Sequence, residues 1–484
     1  MKICEQLEPQ KVFSFFEEIC QIPHGSRNTK EISDYCVAFA KSRGLKYIQD
    51  ENNNVIIFKD ASPGYENAKP VIIQGHMDMV CEKEPDVEID FEKDGLMLYV
   101  DGDFLKARGT TLGGDDGIAL SYAFAILDDD SLCHPPLEVV ITVDEEIGML
   151  GAEAIDISML KGKKLLNIDS EEEGIFLTSC AGGLQADCRL PVSRIEAEGI
   201  CYEIQVTGLQ GGHSGVEIHK ERGNAIVLLG RVLDSLSSEI PFAIDHLEGG
   251  LKDNAIPRET KAVILLESDE LEAKLAQQIS KLEQELKKEF QTSDPEIALL
   301  CKKLGQGKKS VLHRSSAVKT LFLLRTMPNG VQHMSMDVEG LVETSLNVGI
   351  MKMSQDMLLL CFSVRSSVTS RKYELANRLK FLFEFLGGEA VIGGDYPAWE
   401  YHANSPLREL ITGTYRDLFG KEPKIEAIHA GLECGILSGK ISELDCISFG
   451  PDIFDIHTPK ERLSISSTER VWKLLVEFLK RSNE

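Results

Sequence analysis

No apolar run in the 484 residues is long enough to cross a bilayer, and no two of the twelve cysteines are spaced C-x-x-C. The first absence excludes a helical membrane protein. The second leaves isolated thiols inside apolar runs such as "LDCISF", which argues against a zinc ribbon or a disulfide-framed domain and for a reduced compartment. Basic residues are also scarce: 52 Lys and Arg against 78 Asp and Glu leave a net charge of −26. A chain without a basic patch has little with which to displace counterions from a phosphate backbone, so neither nucleic acid nor an anionic membrane surface is an expected partner. The opening stretch "MKICEQLEPQKVF" lacks the apolar core and small-residue cleavage site of a secretory signal, and a cytoplasmic location is expected. No low-complexity linker marks a domain joint.

What is present is ample apolar material in a chain too long for one core, so two domains are expected. The first third alternates helical and strand patterns. "TKEISDYCVAFAKSRG" places Ile32, Tyr35, Cys36, Phe39 and Ala40 at helical intervals before Gly44. The short runs "NVIIF", "KPVIIQGH", "PLEVVITVD" and "KLLNIDS" read as buried strands of an α/β sheet. The pattern resumes late, with "LDCISFGP" as a strand and "STERVWKLLVEFLKR" as a closing amphipathic helix. Between these blocks, strands such as "CYEIQVTGL" and "KAVILLE" precede a long helix striped by Leu271, Leu275, Ile279, Leu282, Leu286 and Phe290. A second strand-helix series follows in "SQDMLLLCFSVRSS" and "RKYELANRLKFLFEFLGG", suggesting two similar halves. The expected organisation is an α/β domain split in sequence, residues 1–185 and 396–484, around an inserted α+β domain at 186–395.

The chemistry collects just past the strands. "VIIQGHMDMV" offers His76 and Asp78, "TTLGGDDGIAL" Asp115 and Asp116, "ITVDEEIG" Glu145 and Glu146, "LLNIDSE" Asp169, and "FDIHTPKE" His457. In an open α/β sheet, ligands gather beyond the carboxyl ends of the strands. Two imidazoles and several carboxylates suit zinc, and there are too many acids for one tetrahedral ion. A carboxylate shared by two ions about 3.5–4 Å apart would let one water bridge them, and the glycine-flanked "GGDDG" is the natural bridge. Residues i and i+2 of a strand share a face, so Asp78 can orient the His76 imidazole. Each segment alone has an ordinary reading as a turn, a helix start or an acidic loop. Their joint occurrence in this order does not.

The set "GHMDMV", "GTTLGGDDGIAL", "TVDEEIGMLGA", "NIDSEEEG", "GLQGGHSGVEIHKERGNA", "DNAIPRE", "SVRSS", "GLECGIL" and "DIHTPKERLSI" resembles the M20-type metallopeptidases, in particular their aminoacyl-histidine (Xaa-His) dipeptidase branch. The resemblance spans about residues 70 to 465. It implies a zinc-peptidase-like catalytic domain, a mixed sheet flanked by helices, with an inserted lid or dimerisation domain and a homodimer. It implies two zinc ions per subunit, with Co2+ or Mn2+ as substitutes. His76 and Asp169 would hold one ion, Glu146 and His457 the other, and Asp115 both, with a cis peptide at Asp115–Asp116. Glu145 would be the general base and acid, with Asp78 supporting His76.

Asp144 is left with no role beyond the strand end. In the insert, "GLQGGHSG" presents His213, a plain turn histidine by itself and, under the resemblance, a donor to the tetrahedral oxyanion. Asn254 and Arg365 are candidates for the substrate's terminal carboxylate and Glu433 for its free amino end; ordinary surface polarity is the competing reading of all three. The remaining histidines, 24, 134, 219, 246, 313, 333, 402 and 429, are read as structural or solvated, with His219 and His429 nearest the motifs.

The expected function is hydrolysis of unblocked dipeptides, Xaa-His among them. The alternatives are an aminoacylase or carboxypeptidase of the same family acting on N-acyl amino acids, and a non-catalytic metal-dependent binding protein. The intact Glu145 beside Glu146 argues against the last, since a binder needs no free base.

Overall fold

The computed structural model describes residues 3–483. The chain divides into two compact units. The first runs to Cys180, then takes up Tyr401–Ala427 and the chain from Leu432 onward; the second is Ala181–Glu400 with Ile428–Gly431.

In the first unit, among the described residues, eight strands form one sheet. Their spatial order is Lys46–Gln49, Val55–Lys59, Leu137–Thr142, Val71–His76, Lys164–Asn167, Asp445–Ser448, Ile175–Cys180 and Lys424–Ile428. The strands beginning at Leu137, Val71, Lys164 and Asp445 run parallel, and their neighbours toward the Lys46 edge are antiparallel. Every residue of "VIIQGH" and "LEVVIT" is buried, as strands covered on both faces require. Register aligns His76 with Thr142 and Gln74 with Asn167, so three carboxyl ends finish level with one another. The helix Gly114–Leu127 is buried from Asp116 to its end because "GIALSYAFAIL" is apolar all round. Gly75 allows this helix its approach, since a Cβ there would sit 2.5 Å from the Ala119 side chain and from the Asp116 carboxylate.

A four-stranded sheet in the same unit joins Ile453–Phe454, Arg462–Ser464, Phe104–Ala107 and Leu98–Asp101. Its register places Leu463 opposite Leu105, fastening the C-terminal part of the chain to the N-terminal part. The loop between its first two strands carries His457, at φ +60. The closing helix Ile465–Arg481 starts at Ser464, whose hydroxyl accepts the Ser467 N–H, and it buries Val471, Leu474, Leu475, Phe478 and Leu479. At roughly 1.5–3 kcal/mol for each large apolar side chain taken out of water, that stripe holds the helix on the unit's core.

The second unit has its own core and a nine-stranded antiparallel sheet among its described residues. Both expected strand-helix series lie in it: Thr260–Leu266 before Glu272–Glu289, and Met357–Ser366 before Thr369–Leu386. Leu275, Ile279, Leu282 and Leu286 are the buried stripe of the first of these helices. The units meet in sequence at 180/181 and 400/401, against the expected 185/186 and 395/396, and residues 428–431 belong with the second unit. Hydrogen bonds account for that excursion: the Ala181 N–H donates to the carbonyls of Ile428 and Ala430, and His429 Nε2 lies 2.7 Å from Ser345 Oγ.

Candidate metal centre

The level strand ends of the first unit, the start of the buried helix and the His457 loop bring seven of the expected residues together: His76, Asp78, Asp115, Glu145, Glu146, Asp169 and His457. His76 closes its own strand. Glu145 and Glu146 follow the Leu137 strand after Asp144, which turns the chain at φ +54. Asp169 follows the Lys164 strand by two residues, and Asp115 leads the buried helix, where its own φ, ψ and those of Asp116 are not yet helical. The Asp115–Asp116 peptide is cis.

The geometry centres on Asp115. Its Oδ1 lies 3.1 Å from His76 Nε2 and its Oδ2 lies 3.2 Å from His457 Nε2, so one carboxylate faces two imidazoles with different oxygens. His76 Nε2 is also 3.6 Å from Asp169 Oδ1, and His457 Nε2 is 3.0 Å from Glu146 Oε1. Donors bound to zinc at about 2.0–2.2 Å in a tetrahedral array stand about 3.3–3.6 Å from one another. In the two triads, His76–Asp115–Asp169 and His457–Asp115–Glu146, the separations from histidine nitrogen to carboxylate oxygen run from 3.0 to 3.6 Å, near enough for each set to share one ion. Asp169 Oδ2 is buried without a hydrogen-bond partner, a cost that coordination would relieve. The donor set is nitrogen and carboxylate oxygen, suited to zinc, cobalt or manganese.

Electrostatics agree with the geometry. Burial on its own would lower the proton affinity of His76, but Asp115, Asp169 and Asp78 outweigh it and hold the imidazole well above its ordinary range. Asp115 and Glu146 likewise push His457 up to about 10. A field that binds protons this tightly to two imidazoles is one that attracts divalent cations. Glu145 is raised well above the usual carboxylate range, by burial first and then by Asp169, Glu433 and Asp115. Its Oε2 is 4.0 Å from His76 Nε2.

Asp78 does more than support His76. The imidazole Nδ1 meets the Asp78 carbonyl at 3.0 Å and its carboxylate at 3.5 Å. The same carboxylate accepts the Glu145 N–H at 3.0 Å and the Ser26 hydroxyl at 2.8 Å, so one buried acid sets both a ligand and the base. Asp144 accepts the Arg27 N–H, which ties the strand end to the segment beside Ser26. Asp116 stands apart from Asp115: its Oδ2 accepts the His76 N–H at 3.1 Å, and with His76 and Asp169 it forms a second possible ligand group.

Glu433 corrects an expectation. It is fully buried at the start of the helix Glu433–Lys440, with its Oε2 accepting from Gln74 Nε2 and from Thr142 Oγ1 at 2.7 Å. Gln74 in turn accepts from Asn167 Nδ2 at 2.7 Å. Gln74, Thr142 and Asn167 lie on the three ligand-bearing strands. Glu433 thus belongs to a polar layer beneath the ligands and offers no surface to a substrate's ammonium group.

The other three expected residues lie in the second unit, and the structure gathers their segments. The pair Gly212–His213 is bonded to Ala255–Ile256, and the Ser214 N–H donates to the Asn254 carbonyl at 2.8 Å. His213 Nδ1 accepts the N–H groups of Gly215 and Val216 at 3.2 and 3.3 Å, which assigns the proton to Nε2 and makes that atom a donor. Arg365 is 9% exposed; Nη1 donates to the Tyr396 hydroxyl at 2.9 Å and Nε has no partner among the described residues. Arg365 faces Ser345 across the strand pair, and His429 bonds Ser345. Burial, then Arg365, lowers His213, and the same two causes push His429 down to about 3. His429, read from sequence as structural, is thus a neutral member of an arginine-centred cluster; its place in "HAGLECGI" was the available signal.

Two imidazoles facing one carboxylate, beside the carboxyl edge of a mixed sheet, are a donor set of the kind a metallohydrolase uses. The chain belongs to peptidase family M20/M25/M40, whose model matches residues 72–481. It is 39% identical over 482 residues to the cytosol non-specific dipeptidase of Escherichia coli K12, with 99% of each chain covered. The crystal structure of an aminoacylhistidine dipeptidase from Vibrio alginolyticus matches with a TM-score of 0.91 at 36% identity, over 99% of this chain and 97% of that one. An aminopeptidase from Bacillus cereus shares the fold, with a TM-score of 0.57 at 14% identity, over 99% of this chain and all of that one. The family membership and α/β architecture expected from the motifs are both shown.

Proposed function

We propose that the protein is a metal-dependent dipeptidase acting on unblocked dipeptides, with two divalent cations, zinc in the first place, at the Asp115 site. The observation that carries the two-cation reading is Asp115 itself, whose two oxygens each face a different imidazole at 3.1 and 3.2 Å. The Escherichia coli and Vibrio alginolyticus relatives, both more than 30% identical over the full chain, are named as dipeptidases. One of those names is non-specific and the other specifies aminoacylhistidine, so Xaa-His dipeptides are assigned as members of a broader substrate set.

Bound there, the cations would supply Lewis acidity to the scissile carbonyl and acidity to the attacking water. Glu145 takes the proton from that water and returns it to the leaving amine. The neighbouring acids that raise its proton affinity suit it to both halves of that cycle. Asp78 holds the Glu145 backbone and the His76 ring in fixed relation. The Nε2–H of His213 is assigned to the developing oxyanion, a role its enforced tautomer fits. Arg365, with Asn254 beside His213, is assigned to the substrate's terminal carboxylate; a planar guanidinium with unused donors pairs bidentately with such a group.

A cytoplasmic location accords with the cytosol dipeptidase relative. No helix among the described residues is long and apolar enough to cross a membrane. A homodimer through the second unit is supported by an apolar patch: Phe381 and Phe385, 73% and 76% exposed, lie on a helix packed against the end strand Glu389–Tyr396, itself exposing Val391 and Ile392.

The decisive experiment is a panel of free dipeptides and N-acyl amino acids assayed on protein reconstituted with zinc, cobalt or manganese. Hydrolysis of free dipeptides, Xaa-His included, is expected, with binding of about two ions per chain. Cleavage of N-acyl amino acids alone, or of neither class, would overturn the proposal.

A further inference from the structure

Glu461 lies four residues beyond His457 in "DIHTPKERL" and has no part in binding the cations. It is 3% exposed, and among the described residues no Lys, Arg or His forms an ion pair with it. Its Oε2 accepts the N–H groups of Leu112 and Gly113 at 2.7 and 3.2 Å, and its Oε1 accepts the N–H of Gly114 at 2.8 Å. Three successive amides pointing at one carboxylate form an anion nest, placed where the buried helix begins and its dipole is positive. Gly113 makes the nest possible by taking φ +69, and a Cβ there would come within 2.9 Å of Met79 Sδ. The residue after the nest is Asp115.

We infer that Glu461 is a positioning residue for one half of the metal site: it clamps the Asp115 loop to the His457 loop and sets the second triad, His457–Asp115–Glu146. The inference rests on the two-cation reading above. Glu461 is tied into its own loop, with its N–H donating to the Thr458 carbonyl at 3.1 Å, so its distance from His457 is fixed by a short stretch of ordered backbone. Asp115 follows Gly114 directly. The 3.2 Å between His457 Nε2 and Asp115 Oδ2 is therefore spanned by one rigid bracket joining segments 342 residues apart in sequence. The first triad depends on the clamp only through the shared Asp115, which faces His76 with its other oxygen. His76 ends one strand and Asp169 follows its parallel neighbour by two residues, and Asp78 and Asp116 hold His76 in addition.

The experiment is a titration of metal-free protein with Co2+, followed by visible absorption and by metal content after gel filtration. The parent and the variants Glu461→Gln and Glu461→Asp are compared, because Gln turns one acceptor into a donor facing an amide and Asp is too short to reach all three. The parent is expected to bind two ions per chain, which tests the two-cation reading separately. In both variants one ion should bind as in the parent and the other about 10–100-fold more weakly, the loss usual when a ligand's supporting partner is removed. Adding Glu461→Gln to His457→Ala should cause no further loss, since both act on the same triad. Parental affinity at both positions in both variants would overturn the inference, as would equal weakening of both ions, which marks a general structural role. If the Gln variant does not fold, the Asp variant decides between the same outcomes.

Discussion

The two units tune the same side chain in opposite directions. In the first, His76 and His457 sit among carboxylates that raise their proton affinity, His457 to about 10. In the second, His213 and His429 are buried near Arg365 and lowered, His429 to about 3. Burial lowers the proton affinity of all four, so the sign is set by the neighbours' charge. Under the proposed function the difference would separate two tasks: an anionic basin to gather cations and handle a proton, and an arginine-centred cluster to present neutral donors to a developing or permanent negative charge.

The sharpest way to break that contrast is to remove the proton handler while leaving the basin intact. Glu145→Gln is expected to bind its metals as the parent does, yet to lose about 10²–10⁴-fold in kcat, the usual contribution of a positioned general base. Parental turnover would remove Glu145 from that role. On the cationic side, Arg365→Met should lower kcat/KM for free dipeptides by about 10²–10³-fold, the scale of a lost charged partner, while leaving metal content unchanged. An equal loss on C-terminally amidated dipeptides would show that Arg365 acts on something other than the carboxylate.

Chelation tests the basin as a whole. Removing cations from a cluster of four carboxylates and two imidazoles leaves the acids to repel one another, so a melting temperature lower by several degrees is expected in excess chelator. An unchanged melting temperature would count against the site. The smallest effect concerns Glu433, which burial raises to about 7 from an ordinary 4.5. A carboxyl with a raised folded-state pKa contributes stability that is full below about pH 4.5 and lost as pH rises to about 7. Over that range, denaturant melts of chelated parent should lose up to about 3 kcal/mol relative to Glu433→Gln. Discrimination between free and N-acylated substrates should stay the same in that variant; a tenfold change would return Glu433 to the substrate's amino end.

The gathering of His76, Glu146 and Asp169 was legible in the sequence because each ends or follows a short Val/Ile/Leu strand, and a buried parallel sheet has little freedom over where such residues emerge; Asp115, at a helix start, and His457, in a loop of the four-stranded sheet, had no such pattern. The division of Glu145 and Glu146 into base and ligand is an expectation taken from the family's motifs, since spacing alone does not distinguish a ligand from a base. What stayed hidden were contacts made to backbone amides. Asp144 on Arg27, Asp116 on His76 and Glu461 on residues 112–114 have no periodicity to read, because an amide is present at almost every residue. Glu433, between Leu432 and Cys434, read as a binder of the substrate's amino end or as an ordinary surface acid, and only the three strands carrying Gln74, Thr142 and Asn167 show it as a buried one. The excursion of residues 428–431 into the second unit was equally out of reach, four residues being too few to carry a pattern.

The position of the Asp445–Ser448 strand has a consequence in time. It lies inside the sheet, hydrogen-bonded to Lys164–Asn167 on one side and to the Ile175 strand on the other, although the ribosome makes it hundreds of residues after both. Until it arrives the nascent first unit has an open seam, and His457 is still to be translated. The sheet and the pair of imidazoles can therefore be completed only late in synthesis, once both that strand and His457 have been made.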